Sequence, residues 1–359
     1  MVPESLDVWM GKMSSDKQVC DEGLQYGDDL AFVIANGIKT FLALAGCPSF
    51  LFVYTKQHLT SIFHPNARLI LQFHIFYVVC AMFGIIFGEG FDLLRFTVLR
   101  WMNSNSSCPI PGMSPYYSNC VKLLKVLGYT GSTYTATAWA LERALASMFL
   151  ISYEQKKTVL GWVLCLVTTI ITIILIVIRF FLGEYDKPLP ITMINGHSYY
   201  LSMVSQYICA GLEVFNVCVF FIILLINNRR LQNSERIMSS LTYKYQIREN
   251  VLATSLIFPL ALLHCVAYFP AALLMPVLSL RTNSVVQRFK LISYTDYMPF
   301  YFIALPVLLW WRNGAQQKSV KRLVQSNFLG EQFAHERKLG KVETAKHFEV
   351  LDAMLKGKC

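Results

Sequence analysis

The seven histidines of this chain are scattered and form no HExxH pattern; there is no GxSxG or phosphate-binding glycine loop, and no cysteine pair has metal-ligand spacing. Catalysis, a metal centre and a cofactor are therefore not expected. The residue types that could do chemistry are charged groups set into apolar surroundings. Glu142 and Arg143, in WALERALASMFLISYE, put an acid beside an arginine at the end of a hydrophobic segment. Such a pair could latch a resting state and release as helices part, or Arg143 could simply reach into an interface. Glu213 sits inside ICAGLEVFNVCVFF, where an ionised carboxylate costs about 2.5–3.5 kcal/mol unless it meets a partner or a cavity. Asn216 shares its helical face, so the two could floor a ligand cavity or make interhelix hydrogen bonds.

A second group, Glu89, Asp92, Arg95, Lys122, Lys125, Arg179 and Asp296, gathers at the ends of several hydrophobic segments. If these side chains face inward they frame a polar vestibule, and their surplus of cations would favour an anionic or zwitterionic small molecule. Contacts with lipid headgroups are the plainer reading. The stretch SSLTYKYQIREN before the sixth segment carries Lys244, Arg248, Tyr243, Tyr245, Gln246, Glu249 and Asn250. It could offer a basic, hydrogen-bonding face to a partner or be a solvated loop.

Those residues need helices long enough to hold them in a bilayer. With 55% hydrophobic residues, 15% charged ones and a mean hydropathy of +0.44, the chain of 359 residues is too apolar for a water-soluble globule. Its net charge of +10 lies between apolar runs and in a tail, which argues against nucleic acid as a partner. A bilayer core of about 30 Å asks for about 20 apolar residues per helix. Seven such segments are expected: Ala31 to Tyr54, Leu69 to Phe91, Cys120 to Leu141, Val159 to Leu182, Leu201 to Ile226, Val251 to Leu280 and Leu291 to Trp311. The third is the least oily; GYTGSTYTATAWA suits a helix packed among others rather than one facing lipid.

The domain plan is thus an N-terminal segment, 1–30, with no signal-peptide pattern, a bundle over 31–311, and a tail, 312–359, whose RNGAQQKSVKRLVQSNFLG can lie along the membrane as a short helix. Twenty of the 32 Lys and Arg fall on the tail side and twelve on the other. Short loops agree, with Arg229, Arg230, Arg236, Lys244 and Arg248 between segments five and six against Arg281, Arg288 and Lys290 between six and seven. The N-terminus is therefore expected outside and the tail in the cytoplasm. The sequon Asn105-Ser106-Ser107 would then be exterior and a glycosylation candidate, and Cys20, Cys108 and Cys120 would share that oxidising side. No internal repeat of the transporter kind is visible. Pro259, Pro270, Pro276, Pro299 and Pro306 permit kinks in the last two segments.

Several pieces together resemble the nematode serpentine chemoreceptors of the Sra superfamily, nearest to its Srab branch, with Sra, Srb and Sre as alternatives. They are Cys20, FHPNARLI from Phe63 to Ile70, Cys108 with Cys120, LERALAS followed by Tyr153-Glu154, and YQIREN from Tyr245 to Asn250. The resemblance spans most of residues 20 to 324. It implies an all-α membrane protein, a seven-transmembrane helix bundle of GPCR type, that detects environmental chemicals at the plasma membrane of sensory neurons, in their cilia. It further implies a heterotrimeric G protein as partner, with Glu142 and Arg143 as the family's switch pair and the YQIREN residues beside it. Membrane lipid is a further partner, and association between copies is left open. Against the rhodopsin-like pattern, the loop from Gly183 to Tyr200 has no cysteine and FIALPVLLWW has no asparagine before Pro306. Cys120 is then left to pair with Cys108 or Cys20, and Cys108 with Cys120 is the favoured pairing. A seven-span ligand-gated channel or transporter, with Glu213 in an ion path, is the competing reading.

Overall fold

The computed structural model describes residues 6–55, 64–149, 159–193, 198–236, 241–281 and 284–311. The chain is a helical bundle, and the compact unit that carries it ends at Leu309. The described helices are α1 (Leu6–Gly27), α2 (Leu30–Thr55), α3 (Pro65–Phe87), α4 (Glu89–Leu94), α5 (Pro115–Met148), α6 (Val159–Phe181), α7 (Ser198–Arg236), α8 (Leu241–Arg281), α9 (Val285–Tyr294) and α10 (298–311).

Six stretches are long and apolar enough to cross a membrane: Leu30–Phe52, Pro65–Met102, Val159–Phe181, Leu201–Asn233, Asn250–Leu278 and Val285–Trp311. The seventh span, α5, is a helix of 34 residues that lacks such an apolar stretch. Its place in the bundle explains why. It packs against α3, α6, α7 and α8, so its small and hydroxylated residues, Gly128, Thr130, Gly131, Ser132, Thr133 and Thr135, are buried among other helices. By contrast α6, with a mean hydropathy of 2.8, turns Ile170, Ile173, Ile174 and Val177 outward.

The contact between α3 and α5 is close enough to require glycine. A Cβ at Gly128 would lie 2.3 Å from the backbone nitrogen of Ala81, and one at Gly84 would lie 2.5 Å from that of Lys125. Such approaches let dispersion and interhelix hydrogen bonds hold helices that the bilayer alone does not drive together. At the start of α3, His64 caps the helix and Pro65 occupies its first turn. Asn66 accepts from the Gly161 backbone N–H at 3.1 Å, and Trp139 donates to the Ala67 carbonyl at 3.0 Å. The asparagine of FHPNARLI is therefore a staple between α3 and α6.

Three features differ from the sequence-based expectation. Residues 1–30, read as a polar N-terminal segment with no helix assigned, contain the helix α1. The second span continues past Gly88 through α4, a π-helical turn, Arg95–Leu99, and a final turn, Arg100–Met102. The last span is interrupted: Thr295 ends α9, and Asp296 and Tyr297 are non-helical before α10 begins. Pro259, Pro270 and Pro276 lie inside α8, which runs through them as one helix. The tail, 312–359, and the Tyr153-Glu154 pair lie outside the described residues.

Candidate functional site

At the end of the bundle that holds α4, the helices part around a cavity enclosing about 940 Å³, including the part open to solvent. Phe32, Asn36 and Lys39 reach it from α2, Glu89 and Asp92 from α4, and Lys122, Lys125, Val126 and Tyr129 from α5. Thr192 and Ile191 come from the connection 183–193, Ser202 and Gln206 from α7, and Tyr268, Ala271 and Met275 from α8. Phe289, Ile292, Ser293 and Asp296 close the ring. Apolar walls with a few placed polar groups are what small-molecule sites use.

The charges are organised. Lys125 Nζ donates to Glu89 Oε1 and, at 2.7 Å, to Asp296 Oδ2. The Tyr129 hydroxyl donates to the same Asp296 carboxylate, at 2.9 Å to Oδ1. Asp296 also accepts from the Met298 N–H at 3.3 Å, so it caps α10 across the break. One carboxylate thereby joins α5 to the interrupted last span. Lys122 stands 3.4 Å from Glu89 Oε1, and Arg95 binds Asp92 at 2.9 Å. Lys39 differs: it is buried, donates to Ser293 Oγ, and makes no ion pair among the described residues. Ser293 in turn donates to Asn36 Oδ1 at 3.1 Å.

A roof covers this end. Asp92 accepts from the Thr192 backbone and hydroxyl, and Arg95 donates to the Pro111 and Pro190 carbonyls. Met113 and Leu189 form an antiparallel bridge, and Cys20 is disulfide-bonded to Cys108, with their Cα atoms 5.8 Å apart. The expected Cys108–Cys120 pairing is thus corrected. Cys108 lies beside α1, whereas Cys120 is a free, exposed thiol on α5. Expectation failed here because it gave α1 no place in the fold. Asp29, just before the first span, pairs with Lys290 at 2.8 Å, and that contact holds its carboxyl below the ordinary value.

At the opposite end of α5, Arg143 grips both oxygens of Glu142 through Nε and Nη2, and both side chains are buried. The last turn of this helix is held by its neighbours. Arg230 donates to the Ser147 carbonyl, Asn227 donates to the Ser147 hydroxyl at 2.9 Å, and Asn250 donates to the Ala146 carbonyl at 3.1 Å. Cationic and amide donors thus satisfy carbonyls that a helix C-terminus leaves open.

The amino-acid pattern of this two-ended bundle matches a family model described as the serpentine type 7TM GPCR receptor class ab chemoreceptor, over residues 17–334. The chain belongs to this family. It is therefore a multi-pass membrane receptor of the seven-transmembrane GPCR class and not an enzyme, as the resemblance to Srab implied. No curated protein matches the receptor.

Of the expected site residues, Lys122, Lys125 and Asp296 line the cavity of this receptor. Glu213 and Asn216 do not. Glu213 Oε1 accepts from Thr133 at 2.7 Å and faces His264 Nδ1 at 2.9 Å, while Asn216 donates to Thr137 at 3.1 Å. Of the YQIREN residues, Asn250 contacts α5; Tyr245, Gln246 and Glu249 lie on α8, with side chains outside the described set. Arg179 is buried and donates to Ser205. Asn105 is exposed in the connection after the π-helical turn.

Lys39, Asn36 and the two core histidines were missed. Lys39 and Asn36 lie three apart in an apolar run, a spacing that puts both on one face, and that was the available signal. His74 hydrogen-bonds Tyr301 at 2.7 Å and Thr135 at 2.9 Å, and its ring lies 5.4 Å from that of His264. Among the described residues no His, Cys, Asp and Glu cluster could hold a metal ion.

Proposed function

We propose that the receptor is a G-protein-coupled chemosensory receptor of sensory-neuron cilia, with its N-terminus outside and its tail in the cytoplasm. A small environmental molecule occupies the cavity and shifts the bundle towards a state read by a heterotrimeric G protein at the Glu142–Arg143 end. The excess of lysines and arginines on the tail side supports this orientation. Among the described residues, burial removes Lys39, Arg95, Lys125 and Arg179 from the exterior count and Arg143 from the tail-side count.

The observation that carries the reading is that one helix holds both sites. Lys125 lies at the cavity and Arg143 at the far end of α5, about 27 Å apart at 1.5 Å per residue. A ligand that interacts differently with the two arrangements of the Lys125, Glu89 and Asp296 contacts biases α5 and α10. The same bias reaches the carbonyls held by Arg230 and Asn250. Basic lining residues support an anionic or zwitterionic ligand.

Nucleotide exchange on a co-expressed G protein, evoked by a screen of environmental metabolites, tests the proposal. Arg143→Ala at unchanged surface expression is expected to abolish it. Ligand-evoked currents persisting in membranes free of G protein would overturn it in favour of a channel.

A further inference from the structure

Charge balance around the cavity singles out one group. Lys125 is committed to Glu89 and Asp296, Lys122 leans on Glu89, and Asp92 is neutralised by Arg95. Lys39 has no carboxylate partner among the described residues, although it is 5% exposed and lies within the first span. An ammonium has three donors, and Ser293 takes one. A lone buried cation in a span costs several kcal/mol unless an anion or a water-filled cavity meets it. Lys39 lines the cavity, and Asn36, one turn before it, lines it too. The same cavity is lined by the apolar side chains of Met275, Phe289 and Ile292.

We infer that the cavity takes a small organic monoanion, a monocarboxylic acid with an apolar body, whose carboxylate is bound by the Lys39 ammonium. This rests on the reading of the cavity as the ligand site. One uncompensated cation calls for one negative charge; a second carboxylate on the ligand would meet Glu89 and Asp296, which are already paired. The body lies along Met275, Phe289 and Ile292. An amide or ester of the same shape leaves Lys39 buried without an anion and is rejected.

The test uses the full-length receptor in nanodiscs and thermal unfolding with a matched panel. The probes are linear monocarboxylates from butanoate to decanoate, phenylacetate, palmitate carried in the bilayer, the corresponding amides, and suberate as a dicarboxylate. Monocarboxylates are expected to raise the unfolding temperature, whereas their amides and suberate do not. Lys39→Met should weaken acid binding by roughly 30-fold or more, as truncating a buried charged partner does. Lys39→Arg, which keeps the charge, should retain the preference for acid over amide. Stabilisation by the short acids assigns the ligand to the water phase, and stabilisation confined to palmitate assigns it to the bilayer.

The inference is overturned if amides stabilise as well as acids, if Lys39→Met keeps the acid effect, or if no acid stabilises the wild type. Should Lys39→Met not fold, the acid-to-amide comparison on the wild type decides alone. Acid binding without nucleotide exchange on any G protein would instead sink the receptor mechanism and leave the site standing. Basal exchange lost in Arg143→Ala, in a receptor indifferent to every acid, would do the reverse.

Discussion

Glu213 and His264 face each other 2.9 Å apart near the middles of their spans, each 1% exposed. Thr133 donates to the same carboxylate oxygen, and Ser132 lies 3.0 Å from the other imidazole nitrogen, so α5, α7 and α8 meet at one polar point. Removing one partner leaves the other buried polar group without it, which costs about 1–3 kcal/mol. His264→Leu is therefore expected to lower the unfolding temperature of the purified receptor well below that of Glu213→Gln, which keeps an acceptor for Thr133. Equal midpoints for the two variants would show that the pair does not hold these helices. The acidic half of this contact was legible, because a carboxylate in an oily run is conspicuous. The histidines were not, since nothing local joins His74 to His264 until the helices pack. Lys39 was misread for a related reason: a single lysine in a first span is easily counted as a loop charge.

The disulfide decides how α1 belongs to the bundle. With a sequence separation of 88, Cys20 and Cys108 close a long loop, and a bond of this kind is worth about 2–4 kcal/mol. Cys20→Ser, Cys108→Ser and the double variant are expected to lose the same stability, and Cys120→Ser almost none; thermal unfolding with and without reductant checks this. A loss on Cys120→Ser as large as the others would restore the pairing first expected. The second, fifth and last spans run further than expected, whereas the first, fourth and sixth were legible to within a few residues, because exposure to hydrocarbon dictates composition. α1 was not, being polar and held by tertiary contacts. The break at Asp296 was equally hidden, since nothing in SYTDYMPF signals that a lysine on α5 will claim the carboxylate.

Orientation is a property of the whole chain, and Asn105 reports on it. The residue is exposed in the turn that follows the second span, so the proposed topology presents it to the glycosylation machinery. A mobility shift on endoglycosidase treatment, absent in Asn105→Gln, is expected, together with an epitope tag before Cys20 accessible on intact cells. A tag after Lys358 that stains without permeabilisation would reverse the topology and place the Glu142–Arg143 end outside. The composition of α5 has a consequence at this scale as well. Its low hydropathy gives it little preference for hydrocarbon over the translocation channel, and many of its buried polar groups find their partners on other elements, including Glu89 on α4 and Asp296 before α10. This span is therefore expected to depend on the later segments that enclose it. The polarity of this helix is thus expected to make receptor abundance in the cell sensitive to any change that delays its enclosure.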